Sequence, residues 1–81
     1  MTLAIEFYAG ARELAGVSRV DIAVPAESRV GILRNVLSQR FERLAPLLAK
    51  SAFAINEVRA DDATVLQAGD TVAVLPPVSG G

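Results

Sequence analysis

Only one stretch of this 81-residue chain repeats its apolar residues at helical spacing over several turns. Val30, Leu33, Leu37, Phe41 and Leu44 recur in steps of three and four, which lines one face of a helix of about four turns. Ser28 stands where an N-cap belongs, although Gly31 occupies the position at which a capping box needs Glu or Gln. Pro46 is expected to end the helix, because the residue before a proline avoids helical geometry. A chain of this length is a single small domain that buries only about 60–65% of its unfolded surface, so a lone helix must share one modest core with everything around it.

What surrounds it alternates. Leu3, Ile5 and Phe7 face one way and Ala4, Glu6 and Tyr8 the other, the period of a half-buried strand. Val20, Ile22 and Val24 repeat the pattern against Arg19, Asp21 and Ala23, and Pro25 closes it. The intervening Ala9–Gly16 segment favours a short helical turn, so the two strands form an antiparallel hairpin with an enlarged connection. After the helix, Ala52 to Ile55 reads as a strand, Asn56-Glu57 as a turn, and Val58 as the start of a short strand. Asp61-Asp62 opens a polar loop. Ala68-Gly69-Asp70 is a turn in which Gly69 can take positive φ, and Thr71 to Leu75 is a final strand rich in β-branched residues. Two strands, a helix and three further strands make an α+β roll of the β-grasp, ubiquitin-like type. Its mixed four- to five-stranded sheet packs one face on the helix, its first and last strands lie side by side in parallel, and its other face is free for partners. The β-grasp domain is assigned to residues 1–75 and an extended C-terminal tail to 76–81.

Composition narrows the chemistry. The chain has no Cys, which excludes disulfides, a thiolate nucleophile and zinc–cysteine sites. It has no His, so the commonest general base and transition-metal ligand are missing. A net charge of −1 is unlike the basic excess of a nucleic-acid binder. No apolar run approaches the roughly 18 residues of a membrane span, and the start MTLAIEF does not read as a signal peptide. No phosphate-cradling G-x-x-x-x-G-K-[ST] or G-x-G-x-x-G occurs. The expectation is a soluble cytoplasmic protein that binds no cofactor or metal and is not catalytic alone.

The tail reads Pro76-Pro77-Val78-Ser79-Gly80-Gly81. Gly with Ser is ordinary at a frayed terminus. The two prolines add something else: they stop the sheet and hold the exit extended. Gly80 and Gly81 fit a slot only as wide as a backbone. At roughly 3.1–3.3 Å per residue, such an arm reaches about 18–20 Å. Its only reactive group is the terminal carboxylate, ionised at neutral pH. Attack of that carboxylate on the α-phosphate of ATP gives an acyl-adenylate. A sulfur donor then leaves a thiocarboxylate, whereas a lysine amine leaves an isopeptide. Either route needs a second protein to bind the ATP.

These residues carry a resemblance. Leu66-Gln67-Ala68-Gly69-Asp70-Thr71-Val72 running into Pro76-Pro77-Val78-Ser79-Gly80-Gly81 is similar to the L-x-x-G-D-x-V-x-x-x-P-P-V-[SAT]-G-G ending of the MoaD family, the sulfur-carrier small subunits of molybdopterin synthase. Phe7-Tyr8-Ala9 with Arg12-Glu13-Leu14 and Gly16 resembles that family's first strand and turn, so the likeness covers essentially the whole chain. It implies that an E1-like enzyme of the MoeB type adenylates Gly81 with ATP. Sulfur of cysteine-desulfurase origin then forms the Gly81 thiocarboxylate. The tail residues Pro76, Pro77, Val78, Ser79 and Gly80 insert into a MoaE-type large subunit, which supplies the catalytic groups and builds the dithiolene of molybdopterin from cyclic pyranopterin monophosphate. The family's synthase is a heterotetramer.

Other residues are open at this level. Leu75 and Val74 precede the tail, and one of them must point off the core face, where it would suit partner docking; both could also be buried. Arg29, Arg40 and Arg43 fall near one side of the helix, as a solvated face or as a docking field. Asp70 reads as a turn residue, and Lys50 is the only lysine. Related β-grasp carriers serve thiamine thiazole, cysteine or tRNA thiolation, and others modify proteins; a third alternative is an inert interaction module with an incidental tail. The Pro-Pro-Val before Ser-Gly-Gly separates the molybdopterin reading from the other carriers.

Overall fold

The computed structural model describes residues 1–77. β1 (Thr2–Phe7) and β2 (Arg19–Ala23) pair antiparallel around the helix α1 (Ala9–Ala15). The main helix, α2 (Val30–Arg40), is followed by a 3-10 turn over Glu42–Leu44 and the short α3 (Ala45–Leu48). β3 (Ala52–Ile55), β4 (Val58–Ala60) and β5 (Thr71–Leu75) complete a five-stranded sheet in the order β2-β1-β5-β3-β4. β1 and β5 run parallel at its centre and every other pair is antiparallel. This is the β-grasp roll that the alternating and helical periods predict.

The core lies between the sheet and the helical layer. Leu3, Ile5, Phe7, Ile22, Phe53, Val72 and Val74 from the strands meet Val30, Leu33, Leu37, Leu44 and Leu48, all of them buried. Phe7 and Phe41 close one side edge to face, ring centroids 5.4 Å apart.

The long helix is shorter than its periodicity predicts. Phe41 leaves helical geometry at φ −120°, ψ 77°, and the chain re-enters it as a 3-10 turn. Pro46 does not terminate a helix; it sits in the first turn of α3, where its missing N–H is not needed. The apolar repeat passes through the break because Leu44 and Leu48 still face the core. Ser28 is not the N-cap either. That position is Arg29, with no side-chain cap, and the Ser28 hydroxyl donates to the Pro25 carbonyl at 2.6 Å. Backbone from a distant loop caps the helix instead: Val30 N–H donates to Thr64 O at 3.0 Å and Gly31 N–H to Asp62 O at 3.1 Å.

Arg34 holds that loop in place. Its guanidinium donates to the carbonyls of Leu48 and Ser51, pairs with Asp62 Oδ1 at 2.6 Å, and lies 4.5 Å above the Phe53 ring. Two turns set the other end of the sheet. Asn56 and Glu57 both take positive φ, 48° and 72°, as a two-residue type I′ hairpin requires. Gly69 takes φ 83°, as expected of it. The Asn56 side chain joins the turns by donating to Asp70 Oδ1 and accepting from Thr71 N–H, each at 3.0 Å.

Candidate functional site: the root of the C-terminal arm

Strand register decides what surrounds the point where the chain leaves the sheet. Phe7 pairs with Val74 across the parallel β1–β5 ladder, which brings Tyr8 and the start of α1 beside Leu75. Ala52 pairs with Leu75 across the antiparallel β3–β5 ladder, which brings Lys50 and Arg59 to the other side. Leu75, Pro76 and Pro77 therefore form a ridge between two clefts. One, of about 520 Å³, is walled by Tyr8, Ala9, Gly10 and Leu47. The other, of about 290 Å³, is walled by Lys50, Ala52 and Arg59.

Side-chain alternation sorts the two residues before the prolines. Val74 points into the core and is fully buried, whereas Leu75 is half-buried on the ridge. The expectation of a docking role for Val74 is corrected accordingly: its side chain is packed among core residues and offers a partner nothing. Pro76 is half-buried and Pro77 exposed. Val78, Ser79, Gly80 and Gly81, expected to insert and to carry the chemistry, lie outside the described residues.

The open sheet face adds a shallow hollow of about 420 Å³ lined by Glu6, Tyr8, Arg19, Asn56, Glu57, Thr71 and Ala73. Tyr8 donates to Glu6 Oε1 at 3.2 Å, and that hydrogen bond, together with the carboxylate's charge, raises the phenol above its ordinary 10.0. Arg19 approaches the same carboxylate at 3.7 Å.

Other sequence candidates separate from the arm. Asp70 is a turn residue: its Oδ2 accepts from Gln67 N–H at 2.8 Å, at the far end of β5. Arg29 donates to Ala63 O at 2.9 Å, and Arg40 and Arg43 flank a groove with Leu14 and Phe41, away from the arm. Sequence patterning misses Tyr8 and Arg59 as neighbours of the arm, because only the register of four strands, β1, β5, β3 and β4, brings them there. Among the described residues no cluster of His, Cys, Asp or Glu could hold a metal ion, and no helix is long and apolar enough to cross a membrane. The root can offer apolar contact and charge to a partner.

A β-grasp roll whose last strand runs directly into a Pro-Pro ridge defines a ubiquitin-like protein. More particularly, the chain belongs to the ThiS family, whose model matches residues 5–81. It is 35% identical over 78 residues to the human molybdopterin synthase sulfur carrier subunit, covering 93% of this chain and 89% of that protein. Among solved structures it is similar to the SAMP1 protein of Haloferax volcanii, with TM-score 0.88, 25% identity and full coverage of both chains. It is also similar to the structure of the complex of subunits 1 and 2 of the molybdopterin-converting factor of Helicobacter pylori. There the TM-score is 0.72 and the identity 29%, again with full coverage of both chains.

Proposed function

We propose that this chain is the sulfur carrier subunit of a molybdopterin synthase, acting in the cytoplasm. The observation that carries the reading is the direct passage from the central strand β5 through Leu75 into Pro76-Pro77 and the sequence Val78-Ser79-Gly80-Gly81, on a chain similar over most of its length to a carrier of that name. The terminal carboxylate of Gly81 attacks the α-phosphate of ATP on an E1-like activating enzyme of the MoeB type, releasing pyrophosphate. The outer sulfur of a persulfide displaces AMP to give an acyl disulfide, and a thiol reductant cleaves its S–S bond to leave the thiocarboxylate. The arm then enters a MoaE-type large subunit, in a heterotetramer, and gives its sulfur to cyclic pyranopterin monophosphate. The folded domain contributes position and binding; it has no His or Cys to act as base or nucleophile. ATP is bound by the activating partner and not by this chain.

Partner capture tests the reading. The chain is immobilised by its N-terminus, host lysate is passed over it, and bound proteins are identified by mass spectrometry. A MoaE-type subunit or MoeB-type activator that is lost on removal of Gly80 and Gly81 is the expected result. A thiazole synthase or a tRNA thiolase in its place contradicts it.

The likeness to SAMP1, which belongs to the small archaeal modifier proteins, favours a second reading in which activated Gly81 joins a target lysine. That reading predicts slower-migrating conjugates that disappear when Gly81 is deleted.

A further inference from the structure

The two flanks of the arm root differ in charge. Tyr8, Ala9, Gly10 and Leu47 bring no formal charge to one cleft. Lys50 and Arg59 bring two cations to the other, whose lining holds no carboxylate. Both side chains are exposed, and neither takes part in the ion pairs found among the described residues, Arg19–Glu6 and Arg34–Asp62. The placement runs against the local composition. Arg59 is the only base after residue 51, in a segment with four acids: Glu57, Asp61, Asp62 and Asp70. Asp61 and Asp62 belong to the loop that caps α2, and Glu57 and Asp70 belong to the turns at the opposite end of the sheet. Glu57 and Asp70 are thus remote from the arm, Asp62 is engaged by Arg34 and Asp61 by Ala63 N–H and the Thr64 hydroxyl, and no carboxylate lines the cleft where Arg59 stands with the chain's single lysine.

We propose that Lys50 and Arg59 form a cationic shoulder that seats against carboxylates at the mouth of the slot receiving the arm on the synthase large subunit. This rests on the sulfur-carrier reading. The solved complex of subunits 1 and 2 of the Helicobacter pylori molybdopterin-converting factor supplies the kind of partner, and the shoulder is continuous with the arm that such a partner would take in. One charged and one uncharged flank favour one rotation of the arm about its own axis, so the shoulder biases the direction from which Gly81 enters. It also raises the rate of encounter with an acidic surface.

The test is binding of the full-length chain to the purified large subunit from the same organism, at low and at high salt. The double reversal Lys50→Glu with Arg59→Glu should weaken binding about tenfold or more, chiefly through the association rate at low salt, with much of the salt dependence lost. Lys50→Arg with Arg59→Lys should restore it. Arg40→Glu with Arg43→Glu, on the helical layer, should leave it within about twofold. Equal binding by the Lys50/Arg59 reversal, or an equal loss in the Arg40/Arg43 control, overturns the shoulder alone. Failure of the unaltered chain to bind the large subunit overturns the sulfur-carrier reading and the shoulder with it. Melting curves accompany each variant, and a reversal that unfolds the domain also overturns the proposal, since both residues would then be structural.

Discussion

Val74 and Leu75 are consecutive in β5 and point to opposite faces of the sheet, the first fully buried in the core and the second half-buried on the ridge that carries the arm. A core position and a solvent-facing ridge position are thereby separated by one peptide bond. Val74→Ala should cost about 2 kcal/mol, the burial of two methyl groups plus the void they leave. Leu75→Asp should hold the melting temperature within a few degrees and, on the proposed function, abolish large-subunit binding, because it puts a carboxylate on the ridge at the root of the arm. Thermal melts and binding isotherms on the two variants check this. A Leu75→Asp chain that binds normally, or that unfolds, contradicts it.

The hairpin turn is not optimal for its sequence. Glu57 holds φ at 72°, where a side chain is strained, and the type I′ turn favours Asn-Gly. Glu57→Gly should therefore stabilise the domain by about 0.5–1 kcal/mol, raising the melting temperature by several degrees. Since Glu57 lies at the end of the sheet away from the arm, sulfur transfer should be unchanged. A lower melting temperature would show that Glu57 makes a compensating interaction.

Arg34 is the tie between the helical layer and the capping loop. Arg34→Leu leaves the carbonyls of Leu48 and Ser51 without this donor and Asp62 without its cation. The expected cost is about 2–4 kcal/mol, read from urea unfolding. Arg34→Lys should recover only part of it, because an ammonium cannot reproduce the planar fork or lie flat on Phe53. Full recovery by lysine would mean that charge alone matters.

Tyr8 is the only tyrosine, so its ionisation can be followed by absorbance without interference. Its midpoint should lie above 10.0, because the Glu6 carboxylate accepts the phenolic hydrogen bond and opposes a second negative charge. The folded state holds this proton more tightly than the unfolded chain. The stability it contributes is thus present below pH 10.0 and is lost as pH rises through the raised value. Glu6→Ala should bring the midpoint back toward 10.0; an unchanged midpoint would refute the pairing.

The parts of this fold legible in the sequence are those written in short periods. Leu3, Ile5 and Phe7 announce β1 by alternation, Val30, Leu33 and Leu37 announce α2, and Gly69 marks its turn. The helix ends were less legible because tertiary contacts set them. Ser28 has the chemistry of a cap, yet Thr64 and Asp62 supply the acceptors from across the fold. Pro46 has the chemistry of a terminator, yet the chain turns at Phe41, whose ring packs on Phe7. The arm was visible as Pro76-Pro77 before a double glycine, while its flanks were hidden: Tyr8, Lys50 and Arg59 are far apart in sequence and meet only through strand register.

The measurement that bears most directly on the central claim is the mass of the intact chain after incubation with ATP, an activating enzyme of the MoeB type, a persulfide donor and a thiol reductant that cleaves the acyl disulfide to the thiocarboxylate. A sulfur carrier should gain the mass difference of one sulfur replacing one oxygen, located at Gly81 by fragmentation. It should lose that increment when the large subunit and cyclic pyranopterin monophosphate are added, as molybdopterin appears. A chain lacking Gly81 should show neither change and should melt as the complete chain does. An unchanged mass under these conditions, sulfur located anywhere other than Gly81, or molybdopterin formed without Gly81 would contradict the assignment.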